Sequence, residues 1–182
     1  FAPAYINITT HRTDVVYREV AQGVFQRTTE RKRPGTVAIA AALKSRYNVA
    51  TVPHIICSGF SAAELENELI DLSYLGITDL LVLRGDKAKG DSRYLPEQGE
   101  YQHAVELCNQ VSRFNNGELL DGTNHSSLSQ AFSFGVAGYP EKHEEAMNLD
   151  IDIEHLKAKV DAGAQYIVTQ MFFDNSRYFA FV

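Results

Sequence analysis

The sequence predicts an α/β fold built on a parallel sheet, and two observations support this prediction. Five short runs of apolar, β-forming residues are each typical of a buried strand. The stretches between them have helical spacing and are too long for hairpins, so they suit the right-handed crossovers that join parallel strands. The five runs cover residues 4–8, 52–56, 80–83, 132–137 and 166–171.

The segment after the first strand, residues 14–33, breaks this alternation. Its apolar residues are grouped on either side of Gly23, as the two strands of a β-hairpin would be. We therefore expect residues 12–34 to form an inserted hairpin arm. The arm ends in the basic run Arg31, Lys32 and Arg33, which is able to touch phosphate, but a charge run on a protruding arm is usually solvated, and we favour that interpretation.

Four helices are predicted between the strands. Pro34 opens an alanine-rich helix before the second strand, and Ser61 with Glu64 makes a capping-box pattern after it. The remaining helices are predicted from apolar residues that recur on one face. These residues are Leu65, Leu69 and Leu72 in the second helix, Ala104, Leu107, Cys108 and Val111 in the third, and Ile153, Leu156 and Val160 in the fourth.

Length and charge restrict the class of protein. A chain of 182 residues corresponds to about one domain. Lysine and arginine total 17 against 23 acidic residues, a net charge of −6, which argues against a nucleic-acid binder with a broad basic face. No apolar run approaches the roughly 20 residues that span a bilayer, and no signal peptide opens the chain. We expect neither nucleic acid nor membrane as a partner.

The cysteines and the chain ends add two expectations. Cys57 and Cys108 are the only cysteines, too few for a disulfide framework, and this suits a reducing cytoplasm. The chain begins at Phe1 rather than at methionine and stops at Val182 within a helical-looking stretch. We therefore expect one incomplete domain, residues 1–182, of a larger protein.

Polar residues gather where the apolar runs end. Because the carboxyl ends of parallel strands form the ligand site of α/β folds, these residues predict one composite pocket. Along the chain they are Thr9, Thr10, His11, His54, Arg84, Gly85, Asp86, Gly138, Tyr139 and Gln170.

Each candidate also has a plain structural interpretation. A lone histidine such as His54 is more often a structural group than a ligand. Arg84 and Asp86 also suit a pair that caps the strand. For Gln170 we favour a functional role, because a buried amide in an apolar strand needs hydrogen-bond partners that a ligand can supply.

Several familiar motifs do not occur in the sequence. There is no Gly-x-Gly-x-x-Gly, Walker, Gly-x-Ser-x-Gly or His-Glu-x-x-His pattern. His125, His143 and His155 lie in different segments without ligand spacing, so we predict no metal site.

Four strings give the chain a family resemblance. They are VPHIIC at 52–57, LRGD at 83–86, GYPEKH at 138–143 and LKAKVDAGAQYIVTQMFFD at 156–174. One string alone is weak, but four in this order at strand ends are specific. The chain resembles the methylenetetrahydrofolate reductases, and most closely the bacterial forms that carry the 12–34 arm.

The resemblance implies a (β/α)8 TIM barrel, present here as a partial barrel of about strands two to six. It implies a cytoplasmic flavoprotein that passes a hydride from NADH or NADPH through FAD to 5,10-methylenetetrahydrofolate in a ping-pong reaction. The product, 5-methyltetrahydrofolate, serves methionine synthesis. The glutamate that protonates the folate in this family lies on the first strand, outside this chain. We also expect the full-length protein to form a homo-oligomer.

Carried over position by position, the resemblance implies the site residues. Asp86 is the implied catalytic residue, since its charge would oppose an anionic reduced flavin and favour the cation formed as the folate ring opens. Arg84 and Lys159, with His143, would neutralise the pyrophosphate. The flavin set is Thr10, His54, Arg84, Gly85, Asp86, Tyr139, His143, Ala146, Asp152 and Lys159, and the set that meets nicotinamide or folate is Thr9 and Gln170.

The chain departs from the family pattern at Thr10, where an aromatic residue is common, at His155 and at Ala158. Two other interpretations stay open from the sequence. One is another flavin barrel such as a proline dehydrogenase, and the other is a noncatalytic α/β ligand-binding module. The preference for NADH or NADPH also stays open.

Overall fold

The computed structural model describes residues 3–87, 93–125 and 130–182. Within them, strands and helices alternate along the chain after an initial hairpin. The elements are β1 (Tyr5–Ile8), β2 (Asp14–Ala21), β3 (Val24–Glu30), α1 (Thr36–Tyr47), β4 (Ala50–Ile56), α2 (Ala62–Tyr74), β5 (Asp79–Leu83), α3 (Ala104–Asn115), β6 (Ser133–Gly138), α4 (Leu149–Asp161), β7 (Tyr166–Thr169) and α5 (Asn175–Phe181).

The five strands predicted from the apolar runs form one parallel sheet. Their order is β1-β4-β5-β6-β7, and every neighbouring pair is parallel. Each crossover therefore adds the next strand to the same edge, and the helices α1 to α4 contact one another in sequence order along one face. This is the arrangement of part of a β/α barrel, and it confirms the predicted fold class.

The hydrophobic core lies between the sheet and the helix layer. Leu65, Leu69 and Leu72 of α2 are fully buried, as their spacing predicts. The predicted capping box is also present, because the Ser61 hydroxyl accepts from the Glu64 amide and the Glu64 carboxylate accepts from the Ser61 amide at 2.8 Å. The cap fixes where α2 begins, and so where the chain leaves the carboxyl end of β4.

The hairpin arm consists of β2 and β3, which pair antiparallel as expected, with Tyr17 opposite Arg27. Two arginines tie the arm to the rest of the domain. Arg27 and Arg12 both form ion pairs with Glu97, and Arg12 Nη1 also donates to Ser58 Oγ at 3.1 Å. The arm is therefore held against two loops at the carboxyl ends of the strands.

The prediction of five buried strands is wrong for the two edge strands of the sheet. β1 pairs only with β4, and its Tyr5 is 55% exposed. The other edge strand is β7. It pairs only with β6, and Ile167 and Val168 are 42% and 39% exposed. The strand ends at Thr169, so Gln170 follows the strand and is exposed. Its amide is thus not the buried group that the apolar surroundings predict, because an edge strand has a partner on one side only. No helix among the described residues is long and apolar enough to cross a membrane.

Candidate functional site

The end of β6 brings together residues from distant parts of the chain. Lys159 Nζ donates to the Ala137 carbonyl at 2.7 Å, and the backbone N–H of Gln170 donates to the Gly138 carbonyl at 2.8 Å. Tyr139 follows directly. The β5–β6 register, which pairs residue 82 with residue 136, brings the end of β5 to the same place. Several predicted site residues therefore meet at one edge of the sheet.

A cleft of about 620 Å³ opens between the arm and the ends of β1, β4 and β5. Five of the predicted site residues line it, namely Thr9, Thr10, His54, Gly85 and Asp86. The others lie around the end of β6, and the segment 84–86 connects the two groups. The predicted composite pocket thus has two parts, one beneath the arm and one beside β6.

The turn after β5 is held against the loop after β4. Gly85 has a φ of +84°, and a Cβ there would lie 3.0 Å from the Cβ of Ser58 and 3.1 Å from that of Ile56. Ser58 Oγ donates to the Asp86 carbonyl at 2.6 Å, and the Ser58 amide donates to the Arg84 carbonyl at 2.9 Å. Glycine is therefore required here for conformation and for space. The result is an exposed Asp86 carboxylate at the cleft.

Arg84 is held from two sides. Its Nη1 and Nη2 donate to the two carboxylate oxygens of Glu145 at 2.6 and 3.0 Å, and its guanidinium lies 5.1 Å from the ring centre of Tyr94. The hydrogen bonds to Arg84 lower the pKa of Glu145. A guanidinium has five N–H groups, so this ion pair leaves donors for another anion.

The segment after β6 is ordered by its own hydrogen bonds. The His143 amide donates to Asp152 Oδ2 at 2.8 Å, the Ala146 amide donates to the His143 carbonyl at 3.1 Å, and the rings of Tyr139 and His143 meet edge to face at 4.7 Å. Burial, followed by the charge of Arg84, lowers the pKa of His143. The Glu145 amide donates to His143 Nδ1 at 3.1 Å, and contact of this ring with a pyrophosphate stays a prediction.

Lys159 is the second cation beside β6. Burial lowers its pKa, opposed by the negative charge of Asp152 among others. The ammonium has three N–H groups and gives one to the Ala137 carbonyl. Two donors are left for a ligand on the same side of the sheet.

His54 and Thr10 occupy the inner end of the cleft. Thr10 is buried, and its hydroxyl bonds to Thr36 Oγ1 at 2.5 Å and to the His54 carbonyl, so its side chain serves the structure. His54 Nε2 is buried and has no hydrogen-bond partner among the described residues, and burial lowers the pKa of the ring. A neutral, unpaired ring nitrogen at a cleft favours contact with a ligand over a purely structural role.

A second cavity, of about 390 Å³, adjoins this cleft and contains Glu68 of α2. Glu68 Oε2 is buried without a hydrogen-bond partner among the described residues. Burial, and then the neighbouring carboxylates of Asp71 and Glu64, raise the pKa of Glu68 to about 7. The folded protein therefore holds a proton that the unfolded chain releases near pH 4.5.

This proton makes stability depend on pH. The folded state binds more protons than the unfolded state between pH 4.5 and about 7, so the free energy of unfolding falls as pH rises through that interval. We expect Glu68→Gln to be more stable than the wild type by on the order of 1 kcal/mol above this range, and to differ little below it. Urea unfolding at the two pH extremes tests this, and an equal difference at both would contradict it.

Comparison with known proteins assigns the chain to a family. The family model of methylenetetrahydrofolate reductase matches residues 2–182. The chain belongs to this family. The 5,10-methylenetetrahydrofolate reductase of Escherichia coli is 33% identical over 150 residues, which cover 82% of this chain and 44% of that protein. Methylenetetrahydrofolate reductase 2 of Saccharomyces cerevisiae is 32% identical over 138 residues, 75% of this chain and 21% of that protein.

A plant relative extends the comparison. Methylenetetrahydrofolate reductase (NADH) 1 of Arabidopsis thaliana is 30% identical over 156 residues, 81% of this chain and 24% of that protein. The chain thus spans less than half the length of these relatives. Its membership of the methylenetetrahydrofolate reductase family therefore describes a part of a protein of this kind.

Sequence reasoning missed three residues that shape the candidate site. Glu145 and Tyr94 hold Arg84, and Ser58 supports the turn at Asp86. Glu145 carries the clearest signal, since it lies two positions beyond the end of the string GYPEKH at 138–143, one of the four that carry the family resemblance. The other two carry none, because a tyrosine in a loop and a serine after a strand have many ordinary uses.

Proposed function

We propose that the protein containing this chain reduces 5,10-methylenetetrahydrofolate to 5-methyltetrahydrofolate with NADH or NADPH, using FAD. The observation that carries the proposal is the turn at residues 84–86, which places the Asp86 carboxylate at the cleft and, two positions earlier, the Arg84 guanidinium held by Glu145. The family membership of the chain supports the same reaction.

The residues present fit a bound flavin nucleotide. Arg84 and Lys159 keep free donors for a pyrophosphate, and this matters because no glycine-rich phosphate loop occurs in the sequence. Gly85 lets the backbone pass where a side chain would not fit, and the unpaired His54 Nε2 offers a polar partner. When bound, FAD would supply the acceptor and donor of the hydride.

The residues of the chain would act on the folate through charge and position. The Asp86 carboxylate at the cleft favours positive charge on a ligand beside it, and positive charge develops on the folate as its five-membered ring opens. Thr9 lines the same cleft, and the exposed amide of Gln170 both donates and accepts hydrogen bonds. We infer that these two residues position nicotinamide and folate in turn, which predicts ping-pong kinetics.

Spectroscopy of the purified full-length protein tests the proposal. We expect a yellow protein that loses its flavin absorbance under NADH or NADPH without oxygen, and recovers it on addition of 5,10-methylenetetrahydrofolate with formation of 5-methyltetrahydrofolate. Recovery with a proline-derived imine instead of the folate would favour the proline dehydrogenase interpretation. A protein without flavin, or one that the folate leaves bleached, would overturn the proposal.

A further inference from the structure

Positive side chains outnumber negative ones among the described residues that line the cleft, although the chain as a whole carries a net charge of −6. Arg12, Arg33 and Lys87 line the cleft, and of the lining residues that the structure describes, Asp86 alone is acidic. Two of these cations, Arg12 and Arg33, come from the two ends of the arm. The arm therefore contributes positive charge to the cleft.

Most of these cations already have partners inside the protein. Arg12 binds Ser58 Oγ at 3.1 Å and Glu97 at 3.8 Å, and Lys87 also has an interaction within the protein. Arg33 differs from them, since its guanidinium has no hydrogen bond or ion pair with any residue in the described part of the chain.

The backbone around Arg33 is restrained. Pro34 follows it, which disfavours helical backbone at Arg33, and α1 begins three residues after Arg33, at Thr36. The neighbouring cation of the basic run, Lys32, pairs with Glu30 at 3.5 Å and does not line the cleft. Arg33 is thus exposed, as expected for the basic run, but it also lines the cleft without a partner in the described part of the chain. Its guanidinium is therefore accessible to a ligand in the cleft.

We propose that Arg33 binds an anionic group, a carboxylate or a phosphate, at the outer end of the substrate held in the cleft. A guanidinium matches both groups through paired N–H donors. The proposal rests on the function proposed above, which offers two sources of such an anion: the glutamate carboxylates of the folate and the phosphates of the nicotinamide dinucleotide. In both cases Arg33 would contribute to the affinity for the substrate and would not change the rate of hydride transfer.

The test compares Arg33→Ala and Arg33→Lys with the matched control Lys32→Ala in the full-length, flavin-loaded protein. We expect Arg33→Ala to raise the KM of one substrate about tenfold with kcat unchanged, as for loss of one charged hydrogen bond. Arg33→Lys should retain part of the affinity, and Lys32→Ala should resemble the wild type. The effect of Arg33→Ala should shrink as salt is added.

The pattern of KM values identifies the anion. A rise for the folate alone assigns a glutamate carboxylate, an equal rise for NADH and NADPH assigns the shared pyrophosphate, and a rise for NADPH alone assigns its additional phosphate. Unchanged KM values, a change equal to that of Lys32→Ala, or a change in kcat alone would overturn the proposal.

Binding at equilibrium separates this proposal from the proposed function. Equilibrium dialysis of 5-methyltetrahydrofolate, NADH and NADPH against the wild type and Arg33→Ala needs no turnover. An active wild type with unchanged affinities in Arg33→Ala refutes only the role of Arg33. A wild type that fails to reduce the folate refutes the function, while a tenfold loss of ligand binding in Arg33→Ala would still support the anion site.

Discussion

Replacing Arg84 with methionine is expected to weaken FAD binding about a hundredfold, which corresponds to about 2.7 kcal/mol. The guanidinium is held by Glu145 and Tyr94 with donors to spare, so a pyrophosphate would gain charged hydrogen bonds at no cost in ordering the side chain. Methionine keeps much of the length but offers no donor, and it leaves the Glu145 carboxylate without its partner. Titration of the apoprotein with FAD, followed by flavin fluorescence, measures the loss.

Riboflavin provides the control for this prediction because it lacks the pyrophosphate. We expect Arg84→Met to bind riboflavin nearly as well as the wild type does, and Arg84→Lys to recover only part of the FAD affinity, since an ammonium cannot make the paired contact with Glu145. Equal losses for FAD and riboflavin would instead show damage to the turn at residues 84–86. Unchanged FAD affinity would remove Arg84 from the cofactor site.

The sheet and its helices could be predicted because they follow from local patterns. The leucines of α2 and its cap at Ser61 specify the helix and its start within a few residues of sequence. The boundary after β7 could not be predicted in this way. Residues 166–171 have strand-forming character throughout, but only the first four pair with β6, and this limit depends on tertiary contacts. The sequence pattern therefore predicts Gln170 to lie within a buried strand, whereas the strand ends one residue earlier, at Thr169.

The position of the arm against the rest of the domain also could not be predicted from the sequence. Its hairpin could be predicted from apolar residues on either side of Gly23, whereas its ion pair joins Arg27 to Glu97, seventy positions away. Surface charges at such a separation have no periodicity, and isolated charge runs usually face solvent. Only the folded chain distinguishes Arg33, which lines the cleft, from Lys32, which does not.

The site divides its charges between its two parts. Arg84 and Lys159 lie beside β6, where the Lys159 ammonium already donates to a strand carbonyl, and they suit binding of the flavin pyrophosphate. Asp86 lies on the cleft side of the same turn, with its carbonyl held by Ser58. Under the proposed function, the turn would link cofactor binding to the charge that acts on the folate, so substitutions at residues 84 and 86 should affect different measurements.

Asp86→Asn is expected to slow reduction of the folate by the pre-reduced enzyme about a hundredfold, the usual scale for removing one preorganised electrostatic contact. The substitution keeps the size and the backbone contact with Ser58 but removes the negative charge. Without that charge, the cation that forms as the folate ring opens loses its stabilisation. Stopped-flow absorbance of flavin reoxidation by 5,10-methylenetetrahydrofolate measures the rate.

Two comparisons isolate the role of the charge. FAD affinity should change little in Asp86→Asn, because Arg84 is unaltered and asparagine preserves the turn. Asp71→Asn, which removes an exposed carboxylate from α2, should reoxidise at the wild-type rate. If Asp86→Asn reduced the folate as fast as the wild type while binding it normally, the carboxylate would have no electrostatic role in the reaction. If its FAD affinity fell as far as its rate, Asp86 would act through cofactor binding instead.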